Sequence, residues 1–216
     1  MKKLAIFDFD GTMVDTVYDV VDCLNRTLEI HGFQTIVHDE FVNILGGNIY
    51  EILSIVLGDN ATSENIELIK CTYNKLYDES SKEKSVPFKG IHELLLDLQN
   101  GGMLIAINSN RTTDSVKLFI DKYFKDIDFL LIEGHNPDYP SKPNPIGVKK
   151  IIEKANVKLK ESIYIGDSKT DIKTAKNAGI DCVIVTWGYG NENVYNNSYP
   201  IRIVDETSQL LDLNRL

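Results

Sequence analysis

Two aspartates, Asp8 and Asp10, flank one phenylalanine at the end of the apolar run 4–7, and the chain then turns through Gly11-Thr12. Side chains two apart on a strand leave on the same face, so this spacing aims two carboxylates at one point. Like charges held that close are costly unless a cation, a shared proton or an opposed charge offsets them, and a buried divalent-metal site is the direct remedy. Ligands of an open α/β sheet bind beyond the carboxyl ends of its strands, so the polar residues that end each strand belong together. That set adds Asn108-Ser109-Asn110, then Lys142 in Lys142-Pro143-Asn144-Pro145, then Asp167 and Asp171 in the stretch Gly166-Asp167-Ser168-Lys169-Thr170-Asp171. Carboxylates, a hydroxyl and a lysine meeting at one rim can hold a magnesium ion and a phosphate.

The elements that must position these residues have two textures. After about residue 88, short apolar runs at 104–108, 129–132, 163–165, 182–185 and 201–204 alternate with helix-period stretches at 91–99, 113–123, 146–155 and 172–178. That alternation predicts a parallel sheet covered by helices. Residues 4–9 supply a further strand, but roughly seventy residues intervene before the alternation resumes, too many for one crossover helix. The gap itself has helical spacing: Val17, Val20, Val21, Leu24 and Leu28 make one face with Gly32 as the stop, and 41–45, 49–57 and 66–76 continue it, with no strand before Val86. The expected architecture is therefore an α/β fold, a Rossmann-like doubly wound parallel sheet core over residues 1–14 and 86–216, with an α-helical cap domain inserted at 15–85 over the carboxylate pair.

Bulk composition narrows the function classes. The 216 residues carry a formal net charge of −9, which argues against nucleic acid or an anionic membrane as the main partner, so a small anionic substrate needs local help from metal and lysine. Cys23, Cys71 and Cys182 are odd in number and widely spaced, and read as reduced, packed thiols. Asp8 and Asp10 interrupt the first apolar run too early for a signal peptide, no segment is long and apolar enough to span a membrane, and a cytoplasmic location is expected.

In the order and context of its motifs the chain resembles the haloacid dehalogenase superfamily phosphohydrolases, in the branch with a helical cap inserted after the first motif. The first motif is Asp8-Phe9-Asp10-Gly11-Thr12, the second Ser109, the third Lys142 and the fourth Gly166-Asp167 with Asp171, each at an expected strand end or helix start. The resemblance implies that Asp8 attacks phosphorus and becomes an aspartyl phosphate, with Asp10 the general acid and then the general base. It implies Mg2+ held by the Asp8 carboxylate, the Asp10 backbone carbonyl and the Asp167 carboxylate, and places Asp171 on a metal-bound water or on Lys142. Ser109 and the Asn110 amide would bind phosphoryl oxygens, and Lys142 would offset charge on Asp8 and the phosphoryl group. Thr12 buttresses the turn carrying Asp10.

Within the family, Asp15-Thr16 and Asp19 resemble the phosphoglycolate phosphatase group. The alternative is a sugar phosphomutase, but the β-phosphoglucomutases carry a cap histidine where this chain has Val20, a departure that weakens that reading. A receiver signalling domain, the alternative from another class, has neither an acid like Asp10 beside its phospho-accepting aspartate nor a helical insertion. The turn Leu45-Gly46-Gly47-Asn48 matches the family's specificity loop in position but offers no arginine or lysine to a substrate carboxylate. The expected partner is a small phosphorylated metabolite, and the expected state a monomer or weak homodimer. His31, His38, His92 and His135 show no metal-ligand spacing, Arg111 reads as an exposed helix-start arginine, and Trp187-Gly188-Tyr189-Gly190 as a loop that lines the cleft or simply packs.

Overall fold

A computed structural model describes residues 1–42 and 44–213. In chain order its elements are β1 (Leu4–Phe7), β2 (Val14–Asp15), α1 (Val17–Ile30), α2 (His38–Val42), α3 (Ile49–Leu57), α4 (Ser63–Glu79), β3 (Val86–Pro87) and α5 (Ile91–Asn100). There follow β4 (Leu104–Thr112), α6 (Thr113–Tyr123), β5 (Phe129–His135), α7 (Ile146–Ala155), β6 (Ser162–Gly166), α8 (Lys169–Ala178), β7 (Asp181–Val185), α9 (Glu192–Tyr195) and β8 (Arg202–Val204). The chain divides into two compact units, 1–14 with 87–216, and 15–86.

Six strands of the first unit form one sheet in the order β5-β4-β1-β6-β7-β8, parallel at every pairing. Strand alternation splits its buried residues between two faces. Ala5, Phe7, Ile163, Ile165, Val183 and Val185 join α5 and α6 residues such as Leu95 and Phe119 on one side. Leu4, Ile6, Tyr164, Cys182 and Ile184 join Ile151 of α7 and Ile172 of α8 on the other. From β1 the chain fills one edge with β4 and β5, then crosses to β6 on the other side of β1 and continues outward. The order reverses at β1, and in a doubly wound sheet the ligand crevice lies at that reversal. Phe7 stands opposite both Ile107 of β4 and Ile165 of β6. One register therefore carries Asp8, Ser109 and Asp167 to the same rim.

The second unit is helical. Val21, Leu24 and Leu28 of α1 are buried, as are Ile69 and Tyr77 of α4 and Leu53 of α3. Buried Asp19 accepts from Ser85 Oγ at 2.6 Å. Asn48 caps α3 by accepting from the amides of Tyr50 and Glu51, so the turn read as a specificity loop uses its asparagine to start a helix.

Several expectations are corrected. Two short strands, β2 and β3, pair with each other where the chain leaves the first unit and returns, although no strand was expected before Val86. They are two residues long, below the reach of a period argument. The helix expected at 41–45 lies earlier, at His38–Val42, and residue 43 is outside the described residues. Cys71 is exposed on α4, whereas Cys23 and Cys182 are buried. No helix among the described residues is long and apolar enough to cross a membrane.

Candidate active site

Asp8 follows β1 directly, and its amide donates to the Ile165 carbonyl of β6 at 2.8 Å, which fixes it at the reversal point. The next residues leave the sheet in a tight turn: the amides of Met13 and Val14 donate to the Phe9 carbonyl and that of Gly11 to the Val14 carbonyl. Gly11 has φ +82, and a Cβ there would lie 2.5 Å from Asp167 Oδ2, so the turn needs glycine for its backbone and for its neighbour. Beyond the strand the two-residue period lapses, and Asp8 and Asp10 part company.

Asp8 enters a buried ionic cluster. Lys142 Nζ donates to Asp8 Oδ1 at 2.6 Å, to Asp171 Oδ1 at 2.8 Å and to the Tyr164 hydroxyl at 3.3 Å, using all three of its hydrogens. Tyr164 in turn donates to the Asn108 carbonyl at 3.1 Å. The backbone of Lys142 is held by the Asn110 side chain, whose Oδ1 accepts from the Lys142 amide at 2.8 Å. Asn110 therefore places the lysine, a part beyond the amide donor foreseen for it. Asp171 Oδ2 accepts from Ser168 Oγ at 2.6 Å and the Ser168 amide at 3.0 Å. Both its oxygens are engaged, which favours orienting Lys142 over holding a metal-bound water. Ser109 is buried, and its oxygen accepts from the Arg111 amide at 3.1 Å.

Asp167, 1% exposed, is clasped from the other side. Thr12 Oγ1 donates to its Oδ1 at 3.0 Å and the Tyr189 amide to its Oδ2 at 2.7 Å, while Trp187 Nε1 donates to the Thr12 carbonyl at 3.1 Å. The Trp187–Gly190 loop thus belongs to the site, and Thr12 serves Asp167 rather than the turn alone. A Cβ on Gly188 would collide with the Gly11 carbonyl and with Asp167, so this approach requires glycine.

Oxygens of Asp8, Asp167 and Asp171 come within 4.8 Å of one another. Three carboxylates against one ammonium leave an excess of two negative charges out of water. Burial, then Asp171, pushes Asp167 up from its ordinary 3.8 to about 7. The same causes, opposed by Lys142, raise Asp8 well above the carboxylate range. Burial alone pulls Lys142 down, but Asp171 and Asp8 outweigh it and hold the ammonium charged well above its ordinary range. The hard oxygen donors and the excess of two charges fit a divalent cation such as those that oxygen ligands bind.

Asp10 stands outside this cluster. Its carboxylate is gripped by Arg111, with Nη2 at 2.6 Å from Oδ1 and Nε at 3.1 Å from both oxygens. The arginine side chain is only 11% exposed. This corrects the reading of Arg111 as an exposed surface residue. Strand β4 runs on to Thr112, past the Asn108-Ser109-Asn110 end expected for it, and so delivers Arg111 to the rim. His135 contacts Ser141 Oγ through Nδ1 at 3.0 Å, in the loop before Lys142.

The family model for haloacid dehalogenase-like hydrolases matches residues 5–185. A phosphoglycolate phosphatase of Vibrio parahaemolyticus is 27% identical over 98% of this chain and 95% of that protein. One of Agrobacterium fabrum is 30% identical over 88% of this chain and 82% of that protein. A solved structure from Lactobacillus delbrueckii subsp. bulgaricus aligns with a TM-score of 0.91 at 25% identity, over 99% of both chains. With its sheet order and four motif positions at the rim of β1, β4 and β6, the chain belongs to the haloacid dehalogenase-like hydrolase family and is similar to its phosphoglycolate phosphatases.

Proposed function

We propose that the protein is a magnesium-dependent phosphatase that hydrolyses a small phosphate monoester through an aspartyl phosphate on Asp8. The observation that carries this reading is the division between the two aspartates of the first motif: Asp8 lies in the buried cluster with Lys142, and Asp10 lies apart, half-exposed. Splitting the displacement into two steps lets one carboxylate act as nucleophile and the other as proton carrier.

An Asp8 carboxylate oxygen attacks phosphorus in line, the bond from phosphorus to the ester oxygen breaks, and Asp10 gives the departing oxygen its proton. Water then attacks phosphorus, its proton passes to Asp10, and Asp8 is released with inorganic phosphate. Lys142 offsets charge on Asp8 and on the phosphoryl oxygens, while Ser109 and the Asn110 amide donate to those oxygens. Asp171 keeps Lys142 in place. The Asp8 and Asp167 carboxylates and the Asp10 backbone carbonyl would hold the metal, which when bound offsets negative charge on phosphate and site together.

The helical unit 15–86 takes the part of the cap that selects the leaving group, and 2-phosphoglycolate heads the candidate substrates because the similar proteins carry that name. All site residues come from one chain, so a monomer or weak homodimer acting on a cytoplasmic metabolite suffices. Release of phosphate from 2-phosphoglycolate, sugar phosphates and p-nitrophenyl phosphate, with and without Mg2+, tests the reading. Turnover that requires Mg2+ and falls to background in Asp8→Asn is expected; metal-independent turnover, or Asp8→Asn as active as wild type, contradicts it.

A further inference from the structure

We propose that Arg111 is the positioning residue of Asp10 in its ionised form: a guanidinium fork braced on α6 that holds the carboxylate where it takes the proton from the attacking water. The inference rests on the phosphatase reading above and goes beyond the four motif positions, none of which includes Arg111.

Asp10 sits at the tip of a turn with its side chain 29% exposed, where a short carboxylate has several rotamers open to it. A proton carrier left to wander works poorly, since a misplacement of about 1 Å can cost about 10²-fold in rate. Arg111 removes that freedom by contacting both carboxylate oxygens from two of its nitrogens. The fork is itself held on its other side by α6. Its Nη1 donates to Ser115 Oγ at 3.1 Å, and its Cζ lies 5.7 Å from the centroid of the Phe119 ring. Ser115 and Phe119 are four residues apart on α6, so they share one face of the helix. Phe119 also packs against Phe9, the residue between the two aspartates, with ring centroids 5.5 Å apart. Helix, arginine and turn are thereby tied into one bracket. A surface ion pair that matters only for stability needs no such bracing, and a lysine, a point charge on a flexible stem, cannot span both oxygens.

The test compares wild type with Arg111→Ala, Arg111→Lys and the milder Ser115→Ala on p-nitrophenyl phosphate. Positioning predicts that Arg111→Ala lowers kcat by about 10²-fold with KM nearly unchanged, that Arg111→Lys restores only part of the loss, and that added guanidinium ion restores part of the Arg111→Ala activity. Ser115→Ala should lose less than Arg111→Ala, again in kcat. Unchanged kcat in Arg111→Ala overturns the proposal. So does a loss confined to KM for substrates with a second anionic group, which would make Arg111 a substrate anchor. A readout independent of turnover is the crystal structure of Arg111→Ala, in which the Asp10 side chain should leave its single position while the Lys142 contacts to Asp8 and Asp171 persist. An undisplaced Asp10 also overturns the proposal. Should wild type hydrolyse no phosphate ester, the phosphatase reading fails, and the Asp10 displacement still decides the part of Arg111.

Discussion

Two ion-paired regions stand a few residues apart at the rim of the sheet and follow opposite electrostatic rules. Around Asp8, three carboxylates face one lysine, every group is nearly sealed from water, and the negative charge is not balanced by protein. Around Asp10, a carboxylate that solvent reaches is paired with a guanidinium about as buried as Asp8. Residues of the same type, separated by one phenylalanine, are sorted by where the strand stops. Asp8 still shares the ladder with β6, whereas Asp10 is already in the Gly11 turn. On the proposed phosphatase reading, the imbalance around Asp8 is a place for a cation and a phosphate, and the Arg111 pairing keeps Asp10 in position.

The sharpest way to break this contrast is to remove the cation from each region and compare stability. Lys142→Met strips the buried cluster of its one ammonium among the described residues, and losing one partner of a buried pair typically costs about 3–5 kcal/mol. Arg111→Met removes a mostly buried guanidinium whose carboxylate partner still reaches solvent and should cost less, about 1.5–3 kcal/mol. Urea melts of both variants measure the difference; equal losses would erase the distinction between the regions.

A smaller effect concerns protons and metal at Asp167, which faces Asp171, Lys142, Thr12 and the Tyr189 amide. Its carboxyl titrates near 3.8 when unfolded and is raised to about 7 when folded. Between those values the folded state binds the extra proton, so this group's contribution to the stability of the metal-free protein falls as pH rises from about 4 to about 7. A divalent ion competes with that proton. The rise in Tm on adding Mg2+ should therefore be small at about pH 5 and large at about pH 8. A Tm gain that shrinks as pH rises would contradict the charge account of the cluster.

Much of this arrangement was legible in the sequence. Apolar runs of β1, β6 and β7 and the spacing of α6 and α7 identified the sheet and its helices, because a strand buried on both faces and an amphipathic helix each leave an unmistakable pattern. Asp8 and Asp167 could be singled out because each directly follows an apolar strand, and Lys142 because it shortly precedes a helix, whereas Ser109 lies within β4. Arg111 was misread because its meaning depends on β4 continuing to Thr112 and on Phe119, eight residues onward, offering a ring face. Tyr164 looked like any core aromatic, and only the fold brings its hydroxyl to Lys142. The Ser168-to-Asp171 spacing is a capping-box pattern, a signal available in the sequence for the residue that holds Asp171. Pairing of β2 with β3 was beyond reach, since two-residue strands carry no period.

The central claim, that Asp8 takes the phosphoryl group and Asp10 moves the proton, is tested most directly by rapid mixing of Asp10→Asn with p-nitrophenyl phosphate and Mg2+. This ester has a leaving group that needs little help from an acid, so Asp8 should still be phosphorylated while hydrolysis slows by about 10²–10⁴-fold. The account predicts a burst approaching one p-nitrophenolate per enzyme, with the phosphate found by mass spectrometry on the peptide containing Asp8. Steady turnover without a burst, or phosphate on any other residue, would contradict it.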